Sequence, residues 1–162
     1  MFNLFKKKSN NIELNAFIKG ELKPITEVPD PVFAEKMMGD GIAIVPDKND
    51  GVVCAPCDGE ISLVMPSKHA VGIVMENGIE ILLHLGLETC SLDGSGFDVF
   101  VKVGDKVTAK QKIAVIKDVL FNDENINMIS MMIITKADNY AIKCTKLGPV
   151  TIEDKVVELV RS

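Results

Sequence analysis

Residues 69–86 read HAVGIVMENGIEILLHLG: two apolar stretches on either side of an Asn-Gly dipeptide, each with a histidine toward its outer end. Asn-Gly between apolar runs signals a hairpin, because both residues accept positive φ. The pattern predicts that His69 and His84, the chain's only two histidines, lie on adjacent antiparallel strands. Loop length then sets their relation. A two-residue loop at Asn77 and Gly78 pairs Glu76 with Ile79 and sets Val71 opposite His84, with His69 a diagonal neighbour on the same face. A four-residue loop, Met75 to Gly78, puts His69 directly across from His84, with Cβ atoms roughly 4.5–5.5 Å apart. An odd loop without a bulge sends the two to opposite faces.

The same punctuation runs outward in both directions. From Ile12 onward, NAFIKGELKPI, GDGIAIVPDKNDG and VVCAPCDGEISLVMP alternate short apolar runs with Gly, Pro, Asn and Asp. That spacing predicts an all-β antiparallel sandwich or barrel rather than βαβ units. Only PVFAEKMM (31–38) and KDVLFNDENI (117–126) offer short helical turns, the first with Asp30 placed as a cap ahead of Pro31. GELKPI and GEISLV echo each other, a faint hint of internal duplication. Residues 12–162 are expected to form one domain, since a chain of 162 residues buries about two thirds of its unfolded surface. Residues 1–11, MFNLFKKKSNN, pair Phe2, Leu4 and Phe5 with three lysines. One apolar turn is too short to hold a membrane surface alone, so a flexible tail is expected. Beginning with its own methionine, the chain reads as a free-standing subunit.

Charge and composition narrow the function. A net charge of −5, no tryptophan and one tyrosine argue against a nucleic-acid binder, which needs phosphate neutralisation and stacking platforms. Of the 18 basic residues only Arg161 is an arginine, so the chain builds no bidentate guanidinium clamp of its own. If phosphate is handled here, that cation comes from elsewhere. Four cysteines without an apolar leader, or a run of the roughly 20 residues that span a bilayer, place the chain in the cytoplasm with reduced thiols.

Two close imidazoles permit three chemistries. A neutral imidazole whose one nitrogen is tied to a fixed acceptor is a nucleophile at the other, and a second imidazole can stabilise charge on a transferring group. Phosphoryl transfer asks for little more. Alternatively both histidines are hydrogen-bonded core residues, or they join Cys54 and Cys57 of CAPC in a zinc set. Residues three apart on a strand point to opposite faces, and the spacing matches no zinc finger. Cys54 and Cys57 therefore read as small apolar strand residues.

VPDPVFAEKMMGDGIAIVP, APCDGEI, SKHAVGI, GIEILLHLGLET, LDGSGF and VKVGDKVTAKQKI occur in this order. Together they resemble the glucose-type enzyme IIA of the bacterial phosphoenolpyruvate-dependent sugar phosphotransferase system, over roughly residues 12–160. The resemblance implies a β-sandwich with a duplicated hybrid motif, acting as a phosphocarrier. It implies His84 as phosphoacceptor through Nε2, with its Nδ1 proton held by the Gly86 carbonyl. His69 is implied as the supporting histidine, oriented by Ser67, which stands where many members have threonine. The implied donor is the phosphohistidine of the carrier protein HPr, and the implied acceptor is the cysteine of a sugar-specific enzyme IIB, giving peripheral association with a membrane permease.

Asp30 matches a rim carboxylate of the family that meets an arginine of HPr, and Glu88 replaces the usual aspartate of the second with a longer side chain. Phe33, Met37, Met38, Val71 and Leu85 are expected to supply a hydrophobic collar for the two partners, only some of them exposed. No resident cofactor is implied, though His69 and His84 could hold zinc with a partner's carboxylate at an interface. Two rivals share parts of the pattern. A biotinyl or lipoyl carrier domain needs a modifiable lysine in a tight turn flanked by methionine or acidic residues, which is absent. A zinc-binding hybrid-motif peptidase needs a third ligand, commonly as His-x-His, but position 86 is Gly86.

Overall fold

The computed structural model describes residues 11–89 and 94–161. The expected tail falls almost wholly outside these residues, as do Cys90 and part of LDGSGF. Fourteen strands follow in chain order: β1 (Ile12–Asn15), β2 (Gly20–Pro24), β3 (Asp40–Pro46), β4 (Val52–Cys54), β5 (Gly59–Val64), β6 (Ala70–Val74), β7 (Glu80–His84), β8 (Phe97–Val99), β9 (Lys106–Val107), β10 (Lys112–Ile116), β11 (Ser130–Lys136), β12 (Tyr140–Cys144), β13 (Gly148–Val150) and β14 (Lys155–Arg161). The two helical segments expected from sequence are single turns, α1 (Pro31–Ala34) and α2 (Asp118–Phe121). α1 starts where Asp30 accepts the Val32 N–H and Pro31 supplies a preset φ. It ends as the chain turns through Lys36 at φ +60° and Gly39 at φ +140°.

An eight-stranded antiparallel sheet, in the order β13-β2-β3-β11-β7-β6-β5-β9, faces two three-stranded sheets, β1-β14-β12 and β4-β10-β8. The all-β antiparallel expectation holds. The main core lies between these layers, from Leu14 of β1 through Ile44, Ile73, Leu83 and Phe97 to Leu159 of β14. The other face of the large sheet carries a smaller cluster, in which Ala43, Met131 and Ile133 are covered by Ile25, Val28 and Phe33. Strict alternation divides the residues: Met132 and Ile134 of β11 join the main core, while Met131 and Ile133 join the second. Both faces of β11 are therefore buried, and its run SMMIITK needs no polar alternation.

The GELKPI and GEISLV echo has a structural counterpart. β2 and β5 are each second from an edge of the large sheet. Gly20 begins one and Gly59 the other, and a Cβ at either would strike the neighbouring strand, 2.1 Å from the Val45 carbonyl oxygen and 2.7 Å from that of Val74. Glycine is needed at both strand starts because the partner backbone passes so close.

Candidate functional site

β7 delivers His84 beside the middle of the large sheet. Across the ladder it is flanked by Ala70 of β6 and Met131 of β11. Leu82, two residues earlier, packs with the second cluster, so the pleat points His84 to the same side, under the 25–34 segment. There the Phe33 ring lies against it, with ring centroids 4.9 Å apart and planes tilted by 58°.

The hairpin uses neither even-length loop but the odd case, whose ladder parity alone would send the histidines to opposite faces. Val74 pairs with Glu80, and the Met75 N–H bonds the Ile79 carbonyl at 2.8 Å, leaving residues 76–78 to reverse the chain. Asn77 keeps a negative φ; Gly78 alone in this turn is left-handed, at φ +91°. The Gly78 N–H bonds the Met75 carbonyl at 2.9 Å, and the Asn77 side chain accepts from the Ile79 N–H at 3.1 Å. This is a three-residue turn closed by a left-handed glycine. It sets Ala70, and neither Val71 nor His69, opposite His84. The histidines meet nonetheless, because His69 lies just outside β6, after Lys68 at φ +62°, where ladder alternation no longer dictates its direction. The two imidazoles pack edge to face with centroids 5.0 Å apart.

Hydrogen bonds set both rings. His84 Nδ1 is 2.9 Å from the Gly86 carbonyl oxygen; a carbonyl only accepts, so Nδ1 carries the proton and Nε2 keeps a lone pair. Burial and then the neighbouring His69 push the His84 pKa down to about 4, against the opposing pull of the Gly86 carbonyl and the Asp30 carboxylate. At neutral pH the ring is an uncharged nucleophile. His69 Nδ1 is 2.5 Å from Ser67 Oγ, and burial lowers its pKa as well. Gly86 turns at φ +78°, and a Cβ there would lie 2.7 Å from Thr89 Cγ2 and 2.9 Å from Met128 Sδ. No other residue fits that bend.

The rim carboxylates do come together. Asp30 and Glu88 line one groove of about 420 Å³ with Pro29, Leu87, Asn125 and Asn127, where the loop that leaves His84 meets the segments before α1 and β11. Asp30 also caps α1, accepting the Val32 N–H at 2.9 Å, so the capping and rim positions coincide. Glu88 is exposed and held at φ +58°.

The collar needs correction. Met37 and Met38 are 70% and 40% exposed, but Val71 and Leu85 are 1% and 0% exposed and belong to the main core. Neither can offer a docking surface, since both side chains are buried in the core between the sheets. Phe33 is buried and presents its ring to His84 rather than to solvent. Thr89 and Ser130, both buried, were not singled out from the sequence; isolated hydroxyls in apolar strands and turns give no periodic signal.

No group of three or more His, Cys, Asp or Glu stands close enough to hold a metal among the described residues. Cys54 and Cys57 are buried free thiols. Burial and the Asp58 charge push Cys57 up to about 12, and burial first raises Cys54 too, so both remain protonated.

The all-β sandwich thus packs two uncharged imidazoles together, one with its tautomer fixed by a main-chain carbonyl, an arrangement suited to nucleophilic chemistry at His84 Nε2. The sequence profile of the family described as phosphoenolpyruvate-dependent sugar phosphotransferase system, EIIA 1, matches residues 12–140, and the chain belongs to that family. It is a phosphotransferase component of the sugar phosphotransferase system. It is 38% identical over 162 residues to the glucose-specific EIIA component of Oceanobacillus iheyensis, covering 99% of this chain and 97% of that one. It is 44% identical over 131 residues to the glucose-specific EIIA component of Bacillus cereus, covering 81% and 78%. Against the glucose-specific EIICBA component of Staphylococcus carnosus the identity is 42% over 140 residues, which is 86% of this chain but 20% of that longer protein. The chain thus spans about a fifth of that relative's length. In structure it resembles glucose permease IIA from Mycoplasma capricolum, with a TM-score of 0.84, 36% identity, and coverage of 95% and 97%.

Proposed function

We propose that the chain accepts a phosphoryl group on His84 Nε2 from the phosphohistidine of HPr and passes it to the cysteine of a sugar-specific enzyme IIB, with glucose the sugar its relatives' names favour. The observation that carries this reading is the bond from His84 Nδ1 to the Gly86 carbonyl on a ring held neutral by burial. The Nε2 lone pair forms the new N–P bond as the donor's N–P bond breaks, and the donor nitrogen keeps that electron pair. The Nδ1 proton does not leave, so the phosphorylated ring is a cation bonded to Gly86 and bearing a phosphoryl dianion. In the return step a cysteine thiolate attacks phosphorus, and Nε2 leaves with its pair as a neutral imidazole.

His69 assists by donating from Nε2 to the phosphoryl oxygens while Ser67 donates to its Nδ1. Asp30 and Glu88 receive a partner's cation, and Met37 and Met38 provide adaptable apolar contact for two partners in turn. Residues 12–162 act as one unit in the cytoplasm, with peripheral association at the permease and no nucleic-acid partner; no helix among the described residues is long and apolar enough to cross a membrane. The chemistry requires no resident cofactor. A zinc ion bound by His69 and His84 with a partner's carboxylate would compete with phosphorylation rather than assist it.

The test is incubation with phosphoenolpyruvate, enzyme I and HPr. Acid-labile phosphate is expected on the chain and none on His84→Gln; label that survives that change refutes the assignment. His69→Gln is expected to accept phosphate yet fail to deliver it to enzyme IIB, and normal delivery removes the supporting role.

A further inference from the structure

The loop that leaves His84 satisfies its main-chain groups from within. The Leu85 N–H bonds the His69 carbonyl at 2.7 Å, and the Leu87 N–H bonds the Asn127 carbonyl at 2.8 Å. Between them, the Thr89 hydroxyl donates to the Leu85 carbonyl at 2.6 Å. The Gly86 N–H donates to Ser130 Oγ at 3.2 Å, and that hydroxyl spends its own proton on the Met128 carbonyl at 2.8 Å. The Leu85–Gly86 peptide unit is thus gripped at its C=O end by Thr89 and at its N–H end by Ser130. Both side chains are fully or nearly fully buried, at 1% and 0% exposure, so neither touches a docked partner.

We infer that Thr89 and Ser130 are positioning residues for phosphoryl transfer: by clamping the two ends of the Leu85–Gly86 peptide they aim the next carbonyl, that of Gly86, at His84 Nδ1. This rests on His84 being the phosphoacceptor. A glycine at φ +78° has more backbone freedom than any other residue type would, so an unclamped peptide there would let the carbonyl swing. A loosened carbonyl no longer holds the proton on Nδ1. The proton then shifts toward Nε2, where it occupies the lone pair that attacks phosphorus. The tight bend requires glycine at position 86, and the two hydroxyls remove the backbone freedom that glycine brings.

The variants are Thr89→Val, which keeps the shape but loses the donor, Ser130→Ala, which loses the acceptor, and Thr89→Ser, which keeps the donor. Long-range nitrogen–proton NMR reads the His84 tautomer, and rapid-quench transfer from phospho-HPr reads kcat and KM. The unmodified chain is expected to show a single tautomer with the proton on Nδ1. Thr89→Val and Ser130→Ala are expected to show a mixed tautomer, with kcat down about fivefold to tenfold, the bias of one ordinary hydrogen bond, and KM unchanged. Thr89→Ser is expected to restore both readouts. An unaltered His84 tautomer and rate in folded Thr89→Val and Ser130→Ala would overturn the clamp while leaving His84 as acceptor. Label persisting on His84→Gln would instead overturn the reading beneath it. Should both substitutions prevent folding, the unmodified chain still decides: a slowly exchanging Thr89 hydroxyl proton supports the clamp, and a freely exchanging one overturns it.

Discussion

Lowering the pH should destabilise this protein through His84 in particular. The folded ring has a pKa of about 4 against an ordinary value of 6.5, so between these values the unfolded chain binds a proton that the folded chain refuses. Stability then rises with pH across that window; it is fully present above the upper value and is lost as pH falls toward the lower one. At about 1.4 kcal/mol per pH unit, the loss over the interval approaches about 3 kcal/mol, a sizeable share of a domain's total stability. Burial is the main cause, with His69 adding and Gly86 and Asp30 subtracting. Urea unfolding of the unmodified chain and of His84→Gln, followed across this window, isolates the effect. The substituted protein should lose about 3 kcal/mol less on acidification. Parallel pH dependences for the two would refute the reasoning, as would a His84 ring resonance that titrates near the ordinary histidine value.

Gly86→Ala should destabilise the fold by about 1–3 kcal/mol, because alanine resists positive φ and its Cβ would meet Thr89; denaturant midpoints check this. Leu83→Ala, at a fully buried core position, should cost about 2–5 kcal/mol, visible as a lowered thermal midpoint. In native buffer Cys144, which is exposed, should react with a soluble maleimide while buried Cys54 and Cys57 stay unlabelled by peptide mapping until denaturant is added; early labelling of Cys57 would contradict its raised pKa. Replacing Met37 and Met38 together with serine should raise KM for phospho-HPr and leave the thermal midpoint nearly unchanged, since both side chains are exposed.

Strand identity was legible because apolar alternation and turn residues state it locally, as did the Asp30-Pro31 start of α1. The histidine pair was legible as a pair. Its register was not, since Asn-Gly admits several turns and the outcome depends on φ at Asn77, which composition does not reveal. That one-residue difference explains the misplaced Val71: opposite His84 in a two-residue loop it would share the site's face, but with Ala70 there it turns into the core. Leu85 follows a simpler rule: the residue after His84 points away from it, and here it lies in the main core. Thr89 and Ser130 were illegible for another reason: their value lies in which peptide they grip, Ser130 from 44 residues away and Thr89 from four residues on, where a lone hydroxyl in a turn carries no distinguishing pattern.

The internally satisfied loop after His84 also determines what a phosphoryl group would find there. The N–H groups of Leu85, Gly86 and Leu87 are already engaged within the chain, so they form no anion nest for the attached group. The lone arginine is spent elsewhere, its guanidinium 5.8 Å from the Tyr140 ring centroid. Among the described residues, the proposed nucleophile His84 thus has a fixed proton and His69 beside it, but no cradle from the N–H groups of Leu85, Gly86 and Leu87. If His84 carries the phosphoryl group as proposed, the engaged N–H groups of Leu85, Gly86 and Leu87 would leave its departure to wait on a cation brought by the acceptor.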